Sequence, residues 1–89
     1  MARFEIASAD LAVMGEKPAS ADILLQLGLD SACGTNGAED LVAAHKWFNL
    51  AAMKGSREAA MRRQEIAFEL SREQIAEAQR QAREWLSLH

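Results

Sequence analysis

Between Asp40 and Ala59 the chain reads DLVAAHKWFNLAAMKGSREA, which contains a helix start, one apolar face, a glycine stop and a second start. Asp40 can cap a helix because its carboxylate accepts from an orphaned backbone N–H one turn further on. Leu41, Ala44, Phe48 and Ala51 then fall on one face, with Trp47 and Ala52 beside it. Gly55 can close the helix in the left-handed conformation, and Ser56 can cap the next. Short connections between antiparallel helices predict stacked helix hairpins, the helix of this stretch pairing with the one before it and the third helix pairing with a fourth.

The flanking sequence extends this pattern. A first helix is predicted over about 19–33, started by Pro18 or Ser20, with Asp22 at the positive end of its dipole and Gly34 after its end. Gly28 sits inside it at a cost of about 1 kcal/mol relative to Ala, a residue that lets a neighbouring helix come close. The link GTNGAE holds Gly34, Asn36 and Gly37, all tolerant of positive φ. The second helix covers 41–54, and a third runs over about 57–70 with Ala59, Ala60, Ile66, Ala67 and Leu70 on its buried side. Ser71 and Gln74 form a capping-box pattern for a fourth helix over 72–87. Its stripe of Ile75, Ala78, Ala82, Trp85 and Leu86 buries a single face, as a terminal cap does. The predicted fold class is all-α: stacked antiparallel helix hairpins spanning 18–89, one domain. Residues 1–17 form an N-terminal arm, extended around Phe4 and Ile6 or carrying a short helix with Leu11 and Met14.

With 89 residues the chain can hold one domain, which buries only about 60–65% of its unfolded surface. Tyr is absent and one Pro occurs, a bias toward helix. The net charge of −3 is uneven: residues 1–53 carry the acidic excess, and residues 54–89 are nearly balanced. That is not the basic footprint of a nucleic-acid binder. A lone Cys33 rules out an intrachain disulfide and a cysteine-rich zinc site, and fits a reducing cytoplasm. No apolar run approaches the roughly 20 residues of a membrane span, and the acidic N-terminal stretch lacks the core of an export signal. The expectation is a soluble, cytoplasmic protein.

No chemistry-bearing constellation emerges. His45 and His89 have no Cys or carboxylate at ligand spacing, and His45 is expected to be solvated on the helix surface. Cys33 is expected to be a buried or half-buried small residue. Gly34 and Gly37 are not followed by the Lys and Ser/Thr of a phosphate loop, and Glu39 and Asp40 are explained by capping. No catalytic residue, cofactor-binding residue or metal ligand is assigned, and the chain is read as a non-enzyme.

From Leu27 to Ala59 the sequence resembles one Sel-one-like repeat, a relative of the tetratricopeptide repeats found in many bacterial proteins. The positions that carry the resemblance are Leu27, Gly28, Gly34, Asp40, Ala44, Trp47, Phe48, Ala51, Ala52, Gly55 and Ala59, in register and without a gap. Ser31 stands where an aromatic is usual and Asn36 where a second turn glycine is usual. Beyond Ala59 the pattern decays, with Arg63 and Gln64 in place of the leucine–glycine pair, as in a capping unit. The resemblance implies a non-catalytic protein–protein interaction module, an adaptor or accessory subunit of a bacterial assembly. It also implies a binding groove lined by the first and third helices, at Leu25, Leu29, Met61, Glu65 and Phe68. Another protein, a second copy of this chain or the chain's own arm could fill that groove. The alternative is a small helical regulator touching nucleic acid through Arg57, Arg62, Arg63 and Arg72.

Overall fold

Four residues outside the helices decide where each helix begins. In the computed structural model, which describes residues 20–35 and 37–89, the helices are α1 (Ala21–Cys33), α2 (Leu41–Met53), α3 (Arg57–Ala67) and α4 (Arg72–Leu88). The expected arm over 1–17, Pro18 as a start and the turn residue Asn36 lie outside the described residues. Ser20, Asp40, Ser56 and Ser71 precede the helices, and each side chain accepts from the backbone N–H three residues on, at 3.2, 3.0, 3.0 and 3.0 Å. Every one satisfies an otherwise orphaned donor, an effect of about 1 kcal/mol per cap. Ser71 and Gln74 complete the capping box, with the Ser71 N–H donating back to Gln74 Oε1 at 2.8 Å.

The helix ends follow the glycines. Gly34 adopts φ 73°, and a Cβ there would meet the Glu39 amide nitrogen and the Gly37 oxygen at 2.9 Å. Only glycine fits that bend. Gly55 ends α2 at φ 107°, donating to the Ala52 carbonyl while Ser56 donates to that of Ala51, the paired bonds of a Schellman cap. The third helix is shorter than expected. It stops at Ala67 because Phe68, Glu69 and Leu70 bond three residues back, to Glu65, Ile66 and Ala67, in a tightened last turn.

Among the described residues the protein is all-helical, with no strand, and its helices pack in pairs. The centre is α2, against which α1, α3 and α4 all lie, whereas α1 meets α3 only over a short stretch and α3 and α4, expected to pair with each other, both rest on α2 instead. Leu24, Ala44, Phe48, Leu50, Ala51, Ala59 and Ala82 form one buried cluster to which all four helices contribute. Small residues dominate it, so the helix backbones come close.

The α1–α2 seam shows how. Gly28 is buried, and a Cβ at that position would stand 2.5 Å from the Phe48 ring, inside any van der Waals distance. Its α1 partner in the core is Leu24, one turn earlier. Leu27, expected in the seam, is 37% exposed instead, because the buried stripe runs through Leu24 and Gly28 at i, i+4. Leu50 is fully buried although the one-sided stripe left it out, a consequence of α2 being covered from three directions. Trp47 is half-buried and meets Trp85 edge to face, with centroids 6.2 Å apart, joining α2 to α4.

Candidate interaction surface

The five positions expected to line a groove divide into two groups. Leu25 and Leu29 are half-buried and packed against the core cluster, so α1 uses them largely for its own support. Met61, Glu65 and Phe68 stand out from α3 at i, i+4 and i+7, on one face. Met61 is 59% exposed, Glu65 is exposed, and Phe68 is 91% exposed at the helix's last turn. On α1 the apolar side chains facing water are Ile23 and Leu27. Met53 at the end of α2 is exposed as well. Period-counting could not assign Ile23 outward, since it sits beside Leu24 and Leu25 in an unbroken apolar run.

Cys33, expected to be at least half-buried, is an exposed free thiol at the end of α1, where the chain turns away at Gly34. Four arginines offered an alternative surface. Arg62 is paired with Glu58 one turn back at 3.1 Å, and half-buried Arg63 donates from Nη1 to Asn49 Oδ1 across the α2–α3 seam. Arg57 and Arg72 are exposed in the first turns of α3 and α4. Two of the four cations are thus engaged within the molecule.

His45 departs furthest from expectation. Instead of being solvated, it is 4% exposed, and its Nδ1 has no hydrogen-bond partner among the described residues. The one-sided reading of α2 left position 45 outward, but the packing of α3 and α4 on α2 leaves that helix little free surface. Burial pushes the imidazole below its ordinary value of 6.5, and the positive charge of Arg63 acts in the same direction.

A second feature lies on the α2–α4 side. Lys46, Arg80, Gln81, Glu84, Trp85 and Leu88 line an open hollow of about 270 Å³. Lys46 Nζ rests 4.0 Å from the centroid of the Trp47 ring, and partial burial lowers its affinity for a proton. Arg80 is held by Glu77 at 2.6 Å and by Glu84 at 3.6 Å. The Arg80 bond, aided by one from Gln81, holds the Glu77 carboxyl down at about 2. Trp85 is stacked on His89 at 4.2 Å. This hollow therefore offers a half-buried indole and one ammonium already lodged on an aromatic face.

Among the described residues no three His, Cys, Asp or Glu side chains are grouped to hold a metal ion. No described helix is long and apolar enough to cross a membrane. Compared with known protein families, with curated proteins and with solved structures, the chain matches none.

Proposed function

We propose that this chain is a non-catalytic interaction module, an adaptor or accessory subunit that binds another protein through the outward face of α3. Phe68 carries this reading: an aromatic side chain at 91% exposure just past the end of α3, seven residues on from Met61. Aromatic residues that can be desolvated in a partner's pocket supply most of the binding energy at protein interfaces, and methionine adapts to irregular surfaces beside them. A partner helix or peptide with an apolar stripe suits such a face. The resemblance to a Sel-one-like repeat points to the same class of activity, and with it to a bacterial, cytoplasmic setting. The close approach of Gly28 to Phe48 is the kind of contact such a repeat needs.

The test is affinity purification of the full chain from its native host, repeated with Phe68→Asp and Met61→Asp. Both positions are exposed, so the variants should unfold at the same denaturant concentration as the wild type while losing the co-purified protein. Retention of the same partner by both variants would sink the reading. Light scattering on the purified chain separates a foreign partner from a second copy. Retention on DNA or RNA that falls steeply with salt would favour the regulator instead.

A further inference from the structure

Among the described residues His45 is the one polar or charged side chain that the packing removes almost wholly from water. Its Nδ1 has no hydrogen-bond partner there, and one turn along α2 the α2–α3 seam holds a polar pair, in which Asn49 accepts from Arg63 of α3. A neutral imidazole can sit in such a place, since only one of its nitrogens carries hydrogen. An imidazolium cannot do so without cost, because it is a second cation beside Arg63 and places an N–H at Nδ1 with nothing to receive it.

Arg63 is the charged group of the described residues whose field acts on the ring. Several other charges on the elements around α2 are engaged elsewhere. Asp30 of α1 accepts from Gln26, Glu58 of α3 pairs with Arg62, and Glu77, Arg80 and Glu84 of α4 pair with one another. Lys46 of α2 itself lies over Trp47. No carboxylate among them stabilises a charged His45.

We propose that the His45–Asn49–Arg63 cluster makes the α2–α3 seam an acid-sensitive joint, in which proton uptake by His45 loosens α3 from α2. The direction follows from linkage. With its folded value lowered, the imidazole binds a proton more readily in the opened or unfolded chain than in the closed one. Closure is therefore fully favoured above the unfolded value of 6.5 and weakens as the pH falls from there toward the lowered folded value. One proton sets the steepness, at most about tenfold in the opening constant per pH unit.

The test uses the full chain. The two histidines are titrated by NMR and assigned with His89→Gln, and amide protection along α3 is measured between pH 7.5 and 5.5. The proposal expects His45 to titrate below 6.5, and α3 protection to fall several-fold, roughly up to the linkage limit, in the wild type and in His89→Gln. In His45→Gln the loss of protection should shrink to less than about twofold. An equal loss in His45→Gln overturns the proposal, as does a wild-type His45 that titrates at 6.5 or above. Should His45→Gln fail to fold, the wild-type titration and its α3 protection decide the matter by themselves.

Discussion

At the α1–α2 seam, Gly28 lets one backbone rest against the Phe48 ring, and Leu24 fills the next turn. At the α2–α3 seam, Ala59 and half-buried Ile66 supply apolar contact, and an Arg63–Asn49 hydrogen bond and a buried imidazole lie beside them. The first seam is held by shape and the second in part by polar groups whose protonation and pairing matter. A shape-based joint responds to volume and hardly to pH. A polar joint responds to pH and to the loss of single hydrogen bonds.

The largest expected effect is at the shape-based seam. Phe48 is 1% exposed, and Phe48→Ala should cost about 3–5 kcal/mol, enough to unfold a small domain. Denaturant midpoints measured by circular dichroism check this, and a midpoint within error of the wild type would mean that Phe48 is not the anchor. Gly28→Ala is the sharper probe of the same contact. It removes a mid-helix glycine, worth a gain of up to about 1 kcal/mol by propensity alone, yet drives a methyl into the ring. Overpacking of this kind costs typically about 1–3 kcal/mol, so net destabilisation is expected. A stabilised Gly28→Ala would show that the ring has room to move and that close approach is not what holds α1.

At the polar seam the expected effects are smaller. Asn49→Ala removes the acceptor of Arg63 and should cost about 1.5 kcal/mol, the low end for a hydrogen bond to a charged group, because half-buried Arg63 can turn to water. Equilibrium unfolding measures the loss, and the same substitution should leave hydrogen exchange in α1 unchanged until global unfolding. An equal loss of protection in α1 and α3 would erase the distinction between the two seams.

These two seams were not equally legible in the sequence. Caps and stops are local: Ser20, Asp40, Ser56 and Ser71 act on amides within three residues, and Gly34 and Gly55 on the bend beside them. The boundaries of α1, α2 and α4 could therefore be placed to within two residues. The early stop of α3 at Ala67 could not, because a tightened last turn has no residue signature there. His45 was misplaced for a different reason. Periodicity assigns one buried face per helix, and α2 is covered on three sides, which is a property of the whole assembly. Leu50 entered the core by the same cause, whereas Leu27 stayed out of it because the buried stripe of α1 runs through Leu24 and Gly28. Of the candidate surface, Met61 and Glu65 on α3 and Phe68 just past its end are exposed. The half-burial of Leu25 and Leu29 depends on how far α1 rotates about its axis, and apolar residues at 23, 24, 25, 27 and 29, spread around the helix, cannot fix that.

The third side of α2 supplies the smallest and most specific test. Trp47 and Trp85 meet edge to face at 6.2 Å, both half-buried, and neither belongs to the fully buried cluster. The close apposition of these residues adds to Ala78 and Ala82 in tying α4 to the centre. Edge-to-face pairs contribute about 0.5–1.5 kcal/mol beyond the area they bury, so a double-mutant cycle with Trp47→Leu and Trp85→Leu should return a coupling in that range. Leucine keeps much of the apolar volume at each position, which limits the cycle to the aromatic geometry. The coupling should not change between pH 7.5 and 5.5, in contrast to the α2–α3 seam, because neither indole titrates there. A coupling that weakens on acidification would point to His89, which stacks on Trp85 at 4.2 Å, as a participant in holding α4. A coupling near zero at both values would mean that Ala78 and Ala82, the two buried residues of α4, dock the helix without the tryptophans.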